Sequence, residues 1–108
     1  MNLNEIDWLE PWRVEESSKL VTELRLEIAP DHWLHNREIV SIARRSDCDN
    51  VLFSIQDVEL TFMVVHLTWR GQQEKAGFPA MTTYESLSDW VENCMKPDHT
   101  EYVGANLK

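Results

Sequence analysis

The sequence predicts an α+β domain in which a small antiparallel sheet, a three-strand meander, packs with an N-terminal and a C-terminal helix. Three consecutive segments rich in Val, Ile and Phe are separated only by short polar breaks, which is typical of sequential antiparallel strands: residues 37–45, 50–56 and 59–69. Apolar residues at helical spacing precede and follow them. A chain of 108 residues is long enough for one core, so a single domain over 1–108 is expected.

The N-terminal helix is predicted to begin near Pro11 and to end at Pro30. Apolar side chains recur at helical spacing over residues 14–28. Proline suits the first turn of a helix and interrupts a helix farther along. Residues 1–12 then form an acidic, tryptophan-bearing N-terminal segment.

The C-terminal helix is predicted to begin at Ser86, whose hydroxyl can cap it with Asp89 three residues on. Proline predicts an end at Pro97, which leaves residues 99–108 as a flexible tail. The buried stripe holds Leu87, Trp90, Val91 and Cys94. Cys94 is therefore expected to be a core thiol rather than a reactive one.

The third strand is apolar at both parities over residues 60–65. Such a strand is covered on both faces, or its second face is an interface. The second possibility predicts a homodimer joined through that face of the sheet.

The charge favours a basic protein as the partner. The chain has 19 acidic and 10 basic side chains and a net charge of −9, spread along its length. Such a field repels nucleic acid and anionic membranes, although an acidic surface also serves solubility alone. The N-terminus lacks the basic and apolar segments of a secretion signal, and no run of about 18 apolar residues occurs, so a cytoplasmic location without membrane insertion is expected.

Motifs of known enzyme chemistry are missing, and this favours a function without catalysis. The sequence contains no GxGxxG, GxxxxGK[ST], GxSxG or HExxH pattern. Cys48 and Cys94 lack CxxC spacing, and His32 and His35 lie in a connection rather than on one helical face. We therefore predict no catalytic residues, no metal site and no cofactor.

His66 interrupts the apolar third strand, and its neighbour depends on the hairpin register. If residues whose numbers sum to 115 face each other, as a two- or four-residue loop requires, Asp49 lies beside His66. A three-residue loop flips the parity and removes this pair. A carboxylate beside an imidazole occurs in catalytic dyads and in structural pairs alike, and no nucleophile is evident nearby.

The five tryptophans divide by context. Trp69 and Trp90 are predicted to be core residues, whereas those in irregular acidic segments either anchor a partner or cap the ends of the core. The candidate partner-binding residues are Trp8, Glu10, Trp12, Glu15, Glu16, Trp33, Asp47 and Asp49.

Three stretches resemble a group of small, uncharacterised bacterial single-domain proteins with a VHLTW strand: "APDHWLHNREIVSIARRSDCDNVLFSI", "FMVVHLTWRG" and "FPAMTTYESLSDWVENCMKPD". This resemblance spans roughly residues 29–98 and implies no catalytic residues. In size and charge the chain is also similar to bacterial immunity proteins, which cover the active site of a toxin.

The leading hypothesis is a binding or inhibitor protein, such as an immunity protein, that meets a basic toxin through an acidic, aromatic surface. One alternative is a small enzyme or metal-binding protein centred on Asp49 and His66, with His32 or His35. The other is a homodimeric structural protein.

Overall fold

The computed structural model describes residues 2–30, 32–56, 61–69 and 80–106. A 3₁₀ turn, Leu3–Glu5, comes first. The remaining elements in chain order are β1 (Trp12–Val14), α1 (Ser18–Glu27), β2 (Ile39–Arg45), β3 (Asn50–Ile55), β4 (Thr61–His66), β5 (Met81–Tyr84), α2 (Leu87–Trp90), a π-helical turn (Val91–Met95) and α3 (Lys96–Asn106). All neighbouring strands are antiparallel, and their order in the sheet is β1-β2-β3-β4-β5.

The α+β class is confirmed, but the sheet has five strands rather than three. Strands β2, β3 and β4 form the predicted meander, and β1 and β5 extend it at its two edges. Both added strands are short, with three and four residues. A strand of three or four residues is too short to show a clear alternation of apolar and polar residues in the sequence. Such a strand forms because a longer neighbouring strand pairs with it.

Helix α1 begins later than the sequence predicts. Residues 12–14, expected in the first turns of the helix, instead pair with the end of β2. The helix starts after Ser17, whose hydroxyl accepts the backbone N–H of Lys19 at 3.2 Å. Ser17 and Pro11 are both suitable residues for the start of a helix. The helix starts at the later one because residues 12–14 pair with β2.

The two faces of the sheet are covered by different helices. One face packs on α1, and its buried side chains include Leu20, Leu24, Val51, Phe53, Met63 and Val65. The other face packs on the C-terminal helix and the N-terminal segment, with Trp12, Leu52, Phe62, Val64, Trp90 and Met95. The apolar character of β4 at both parities thus reflects burial on both sides of the sheet. The homodimer hypothesis required one face of the sheet to be open, and both faces are covered by helices of the same chain.

The C-terminal helix confirms its predicted start and contradicts its predicted end. The Ser86 hydroxyl accepts the Asp89 N–H at 3.0 Å. Helix α3 continues past Pro97 to residue 106, so the expected tail from residue 99 is largely helical. The π-helical turn just before Pro97 explains this. The Lys96 N–H bonds to the carbonyl of Val91, five residues earlier, and the wider turn accommodates a proline, which has no N–H to donate.

Among the described residues, no helix combines the length and the apolar character that crossing a bilayer requires.

Candidate functional site

Of the two hairpin registers that the sequence leaves open, β3 and β4 adopt the one in which Asp49 does not face His66. Asn50 lies opposite His66, and its Oδ1 is 2.7 Å from the imidazole Nδ1. An odd number of residues, 56–60, connects the paired ends of the strands, and an odd connection reverses the parity of an even one. The Asp49 carboxylate lies 3.7 Å from the Arg44 guanidinium instead. The hypothesis of an enzyme or metal site at Asp49 and His66 loses its geometric basis.

The histidines of the segment after α1 do not converge on a metal site. The Nδ1 atom of His32 accepts the Leu34 backbone N–H at 3.1 Å, and its ring stacks on Trp33 with the centroids 6.0 Å apart. His35 is exposed. In the ranges that the structure describes, no group of three His, Cys, Asp or Glu side chains is arranged to hold a metal ion.

Two of the three predicted tryptophan anchors belong to the core. Trp12 is 2% exposed because β1 carries it into the sheet, where its ring meets Trp90 edge-on with centroids 5.1 Å apart. Trp8 is half-buried, and the centroid of its ring lies 5.9 Å from that of Trp90. Trp33 is 49% exposed and stays available to a partner.

The two tryptophans predicted to be core residues differ. Trp90 is fully buried, as predicted. Trp69 is 43% exposed and has a positive φ of 60°, a left-handed conformation that is uncommon for a bulky side chain. It lies beyond the end of β4, where strand periodicity no longer determines which way a side chain faces.

Three of the predicted partner-binding acids are already paired within the chain. The Glu15 carboxylate lies 3.0 Å from the Arg13 guanidinium and 3.4 Å from the Arg44 guanidinium. Asp47 accepts two hydrogen bonds of 2.8 Å from Arg45, which lower the pKa of this carboxyl group below its ordinary value. Asp49 shares Arg44, as described above. A basic partner would have to compete with these arginines for all three carboxylates.

Glu10 and Glu16 are the predicted acids that remain open. Both are exposed, and neither forms an ion pair with a residue of the described ranges. Glu16 lines the concave part of the surface described next, and Glu10 does not.

That concave part is a groove of about 1200 Å³ at the start of β2, which we call the β2 groove. Its described walls come from residues 2–4, the start of α1 with the residues before it, the first half of β2, the facing ends of β3 and β4, and the start of α2 with the residues before it. The described apolar side chains that line it are Leu3, Val21, Ile39, Val40, Ile42, Phe62 and Leu87. Among the described residues that line it, Glu16 and Glu85 are charged, and both are acidic. Glu85 was missed in the sequence because nothing in its surroundings distinguishes it from other surface acids.

A buried carboxyl pair on α1 is a second feature that the sequence reading missed. Glu27 is 0% exposed, and its two oxygens accept the backbone N–H groups of Thr68 and Trp69 at 2.9 and 3.0 Å. Burial raises its pKa, and a hydrogen bond with the buried Glu23 raises it further. Glu23 and Glu27 fall on the same helical stripe as the apolar residues of α1, so the spacing contained this signal. Glu27 holds the chain beyond β4 in place.

Asp98 links the C-terminal helix to the sheet. Its Oδ2 atom accepts the Trp12 indole N–H at 2.8 Å and the Cys94 thiol at 3.4 Å, and it lies 3.5 Å from the Arg45 guanidinium. Burial raises the pKa of Cys94 to about 12, so the thiol stays protonated and unreactive at neutral pH. Cys94 is 8% exposed, which confirms it as a core thiol.

No protein-family model, curated protein or solved structure matches this chain. The resemblance to small bacterial proteins with a VHLTW strand therefore stays an expectation from the sequence. The structure places that segment at the end of β4, where residues 64–66 are paired, Leu67 is buried and Trp69 is exposed.

Proposed function

We propose that this chain is a binding protein that captures a cationic partner protein in the β2 groove, in the manner of an inhibitor or immunity protein that neutralises a toxin. One observation carries the proposal: the charged residues that line the groove, Glu16 and Glu85, are both acidic and have no ion-pair partner in the described ranges.

Charge and shape favour the same class of partner. The net charge of −9 attracts a cationic protein and accelerates its encounter. At close range the apolar walls of the groove can bury side chains of the partner, and burial contributes more to affinity than exposed charges do. The two free glutamates at those walls supply orientation and specificity.

The test is to mix the purified protein with the product of each neighbouring gene and to follow binding by surface plasmon resonance, which measures both the affinity and the association rate. We expect one of these proteins to bind and its association rate to fall as salt is added. The double variant Glu16→Gln/Glu85→Gln should bind about tenfold more weakly, since each lost charge contact is small but both act on one partner.

The matched control is Asp7→Asn/Glu101→Gln, which makes the same change in net charge at exposed residues outside the groove. If both double variants weaken binding equally, the groove is not the site. If no neighbouring gene product binds, or its activity is unchanged in the complex, the inhibitor function is wrong.

A further inference from the structure

Strand β2 has an open edge along its first half. Its partner on that side, β1, pairs only with residues 43–45, and one more bond joins the Glu15 N–H to the Ile42 carbonyl at 3.0 Å. The chain then turns away, and the Ser17 N–H bonds to the Ser41 hydroxyl at 2.8 Å. Within the described ranges, no strand pairs with residues 39–41 on that side.

The backbone groups of Ile39 point to this open side of β2. The Gln56 N–H bonds to the Glu38 carbonyl at 2.9 Å, which marks these two as a hydrogen-bonded pair of the β2–β3 ladder. Such pairs alternate along antiparallel strands, so Ile39, one residue on, directs its N–H and carbonyl away from β3. Ile39 also lines the groove. An unpaired edge of this kind is a template for an added strand.

The walls of the groove lie on both sides of this edge. Val21 packs with the α1 face of the sheet, whereas Phe62 and Leu87 belong to the cluster on the opposite face, and all three line the groove. Successive side chains of an extended segment point to opposite sides. A segment lying along the edge would therefore place alternate side chains against the two walls.

The charges of the groove select the occupant. Glu16 precedes α1 and Glu85 precedes α2, so each wall carries a carboxylate that has no ion-pair partner among the described residues. A second copy of this chain would bring the same carboxylates and another net charge of −9 to the edge, which disfavours pairing between copies. A segment with a basic residue near each end and apolar residues between them complements both walls.

We infer that the β2 groove receives an extended cationic segment of the partner, which adds to residues 39–41 of β2 as a sixth strand of the sheet. This inference rests on the proposed function and specifies how the partner is held. Backbone bonds to the edge give affinity, and the walls and the two glutamates give specificity.

The test uses the peptide Lys-Val-Thr-Val-Thr-Lys as a probe and follows the backbone amide signals of the protein by two-dimensional NMR. We expect shift changes centred on residues 39–41. Two further peptides carry N-methyl groups on the valines or on the inner threonines. Because only alternate amides of an added strand face its neighbour, one methylated peptide should bind about tenfold more weakly than the other. Equal affinities of the two, no binding of the parent peptide, or shift changes elsewhere would overturn strand addition.

A matched pair of variants tests the location. Val40 is 40% exposed and lines the groove, and Val14 is 50% exposed on β1 and lies outside it. Val40→Lys places a positive charge and a long side chain in the groove and should abolish peptide binding, whereas Val14→Lys should leave it unchanged. Circular dichroism checks that both variants fold. Equal binding by both variants would contradict the proposed location.

The binding function and strand addition are tested by different outcomes. If a neighbouring gene product binds through Glu16 and Glu85 while the methylated peptides bind equally, strand addition is wrong and the binding function stands. If neither a gene product nor the peptide binds, both are wrong.

Discussion

The two faces of the sheet each use one carboxylate to tie a distant segment to the core, but they balance its charge differently. On the α1 face, Glu27 is fully buried, accepts two backbone N–H groups and has no arginine or lysine partner in the described ranges. On the opposite face, Asp98 is half-buried and shares its oxygen between the Trp12 indole and the Arg45 guanidinium.

The difference shows what determines the state of a buried acid. A carboxyl group without a nearby cation minimises the cost of burial by keeping its proton to higher pH, which is why the pKa of Glu27 is raised. Asp98 retains part of its solvent contact and has Arg45 beside it. The α1 face therefore depends on pH through its central acid. On the opposite face, Asp98 is held beside the packed rings of Trp12 and Trp90.

The largest expected effect is on the tryptophan side. Trp12→Ala should lower the free energy of unfolding by about 3–5 kcal/mol, because it leaves a cavity beside Trp90 and removes the indole donor to Asp98. Trp33→Ala, at an exposed ring, should change it by less than about 0.5 kcal/mol. Urea unfolding followed by circular dichroism measures both. Equal losses would mean that Trp12 is not a core residue.

The next effect is on the α1 face. Glu27→Ala should lower the free energy of unfolding by about 2–3 kcal/mol, because the N–H groups of Thr68 and Trp69 lose their acceptor inside the protein. The control is Glu101→Ala on the exposed surface of α3, where little change is expected. The idea that Glu27 holds this segment would not survive a loss as small as that of the control.

The pH dependence of stability tests the buried acid of the α1 face. Because the pKa of Glu27 is raised in the folded protein, the unfolded chain ionises first as pH rises above 4.5, the ordinary value. The folded state then binds more protons, so the stability contribution falls with rising pH until the folded pKa is passed. Glu27→Gln removes this term, so the difference in unfolding free energy between wild type and variant should shrink or reverse from pH 4 towards pH 8. A difference that is constant with pH would contradict the raised pKa.

The smallest expected effect concerns the C-terminal helix beyond Asp98. Gly104 lies in α3, and a Cβ placed there meets nothing within 4 Å. Gly104→Ala should raise the free energy of unfolding by about 0.5 kcal/mol, since alanine favours the helix and restricts the unfolded chain. Thermal unfolding followed by circular dichroism shows this as a small rise in Tm. A fall in Tm would mean that α3 does not extend to this residue.

The elements with strong local patterns could be predicted from the sequence, and the others could not. The central strands alternate or run apolar over six or seven residues, and Ser86 is a strong helix cap, so both were identified correctly. The start of α1 depended on whether residues 12–14 would pair with β2, and the continuation past Pro97 depended on a π-helical turn. Both outcomes are decided by partners distant in the chain.

The candidate site shows the same limit. The acidic residues and tryptophans were evident, but which acids stay free was not, because Glu15, Asp47 and Asp49 find arginines only after β1 and β2 pair and the turn after β2 folds. Glu85 gains its role only from the groove that folding creates around it.

The sequence by itself determined the α+β class, the antiparallel meander, the strongly negative charge and the burial of Trp90 and Cys94. These follow from composition and short-range periodicity, which act within a few residues. The tertiary structure alone decided the register that separates Asp49 from His66, the burial of Trp12 and the groove at the open edge of β2. Each of these depends on which strands meet and where their pairing stops, and a one-residue shift in pairing changes which side chains face each other.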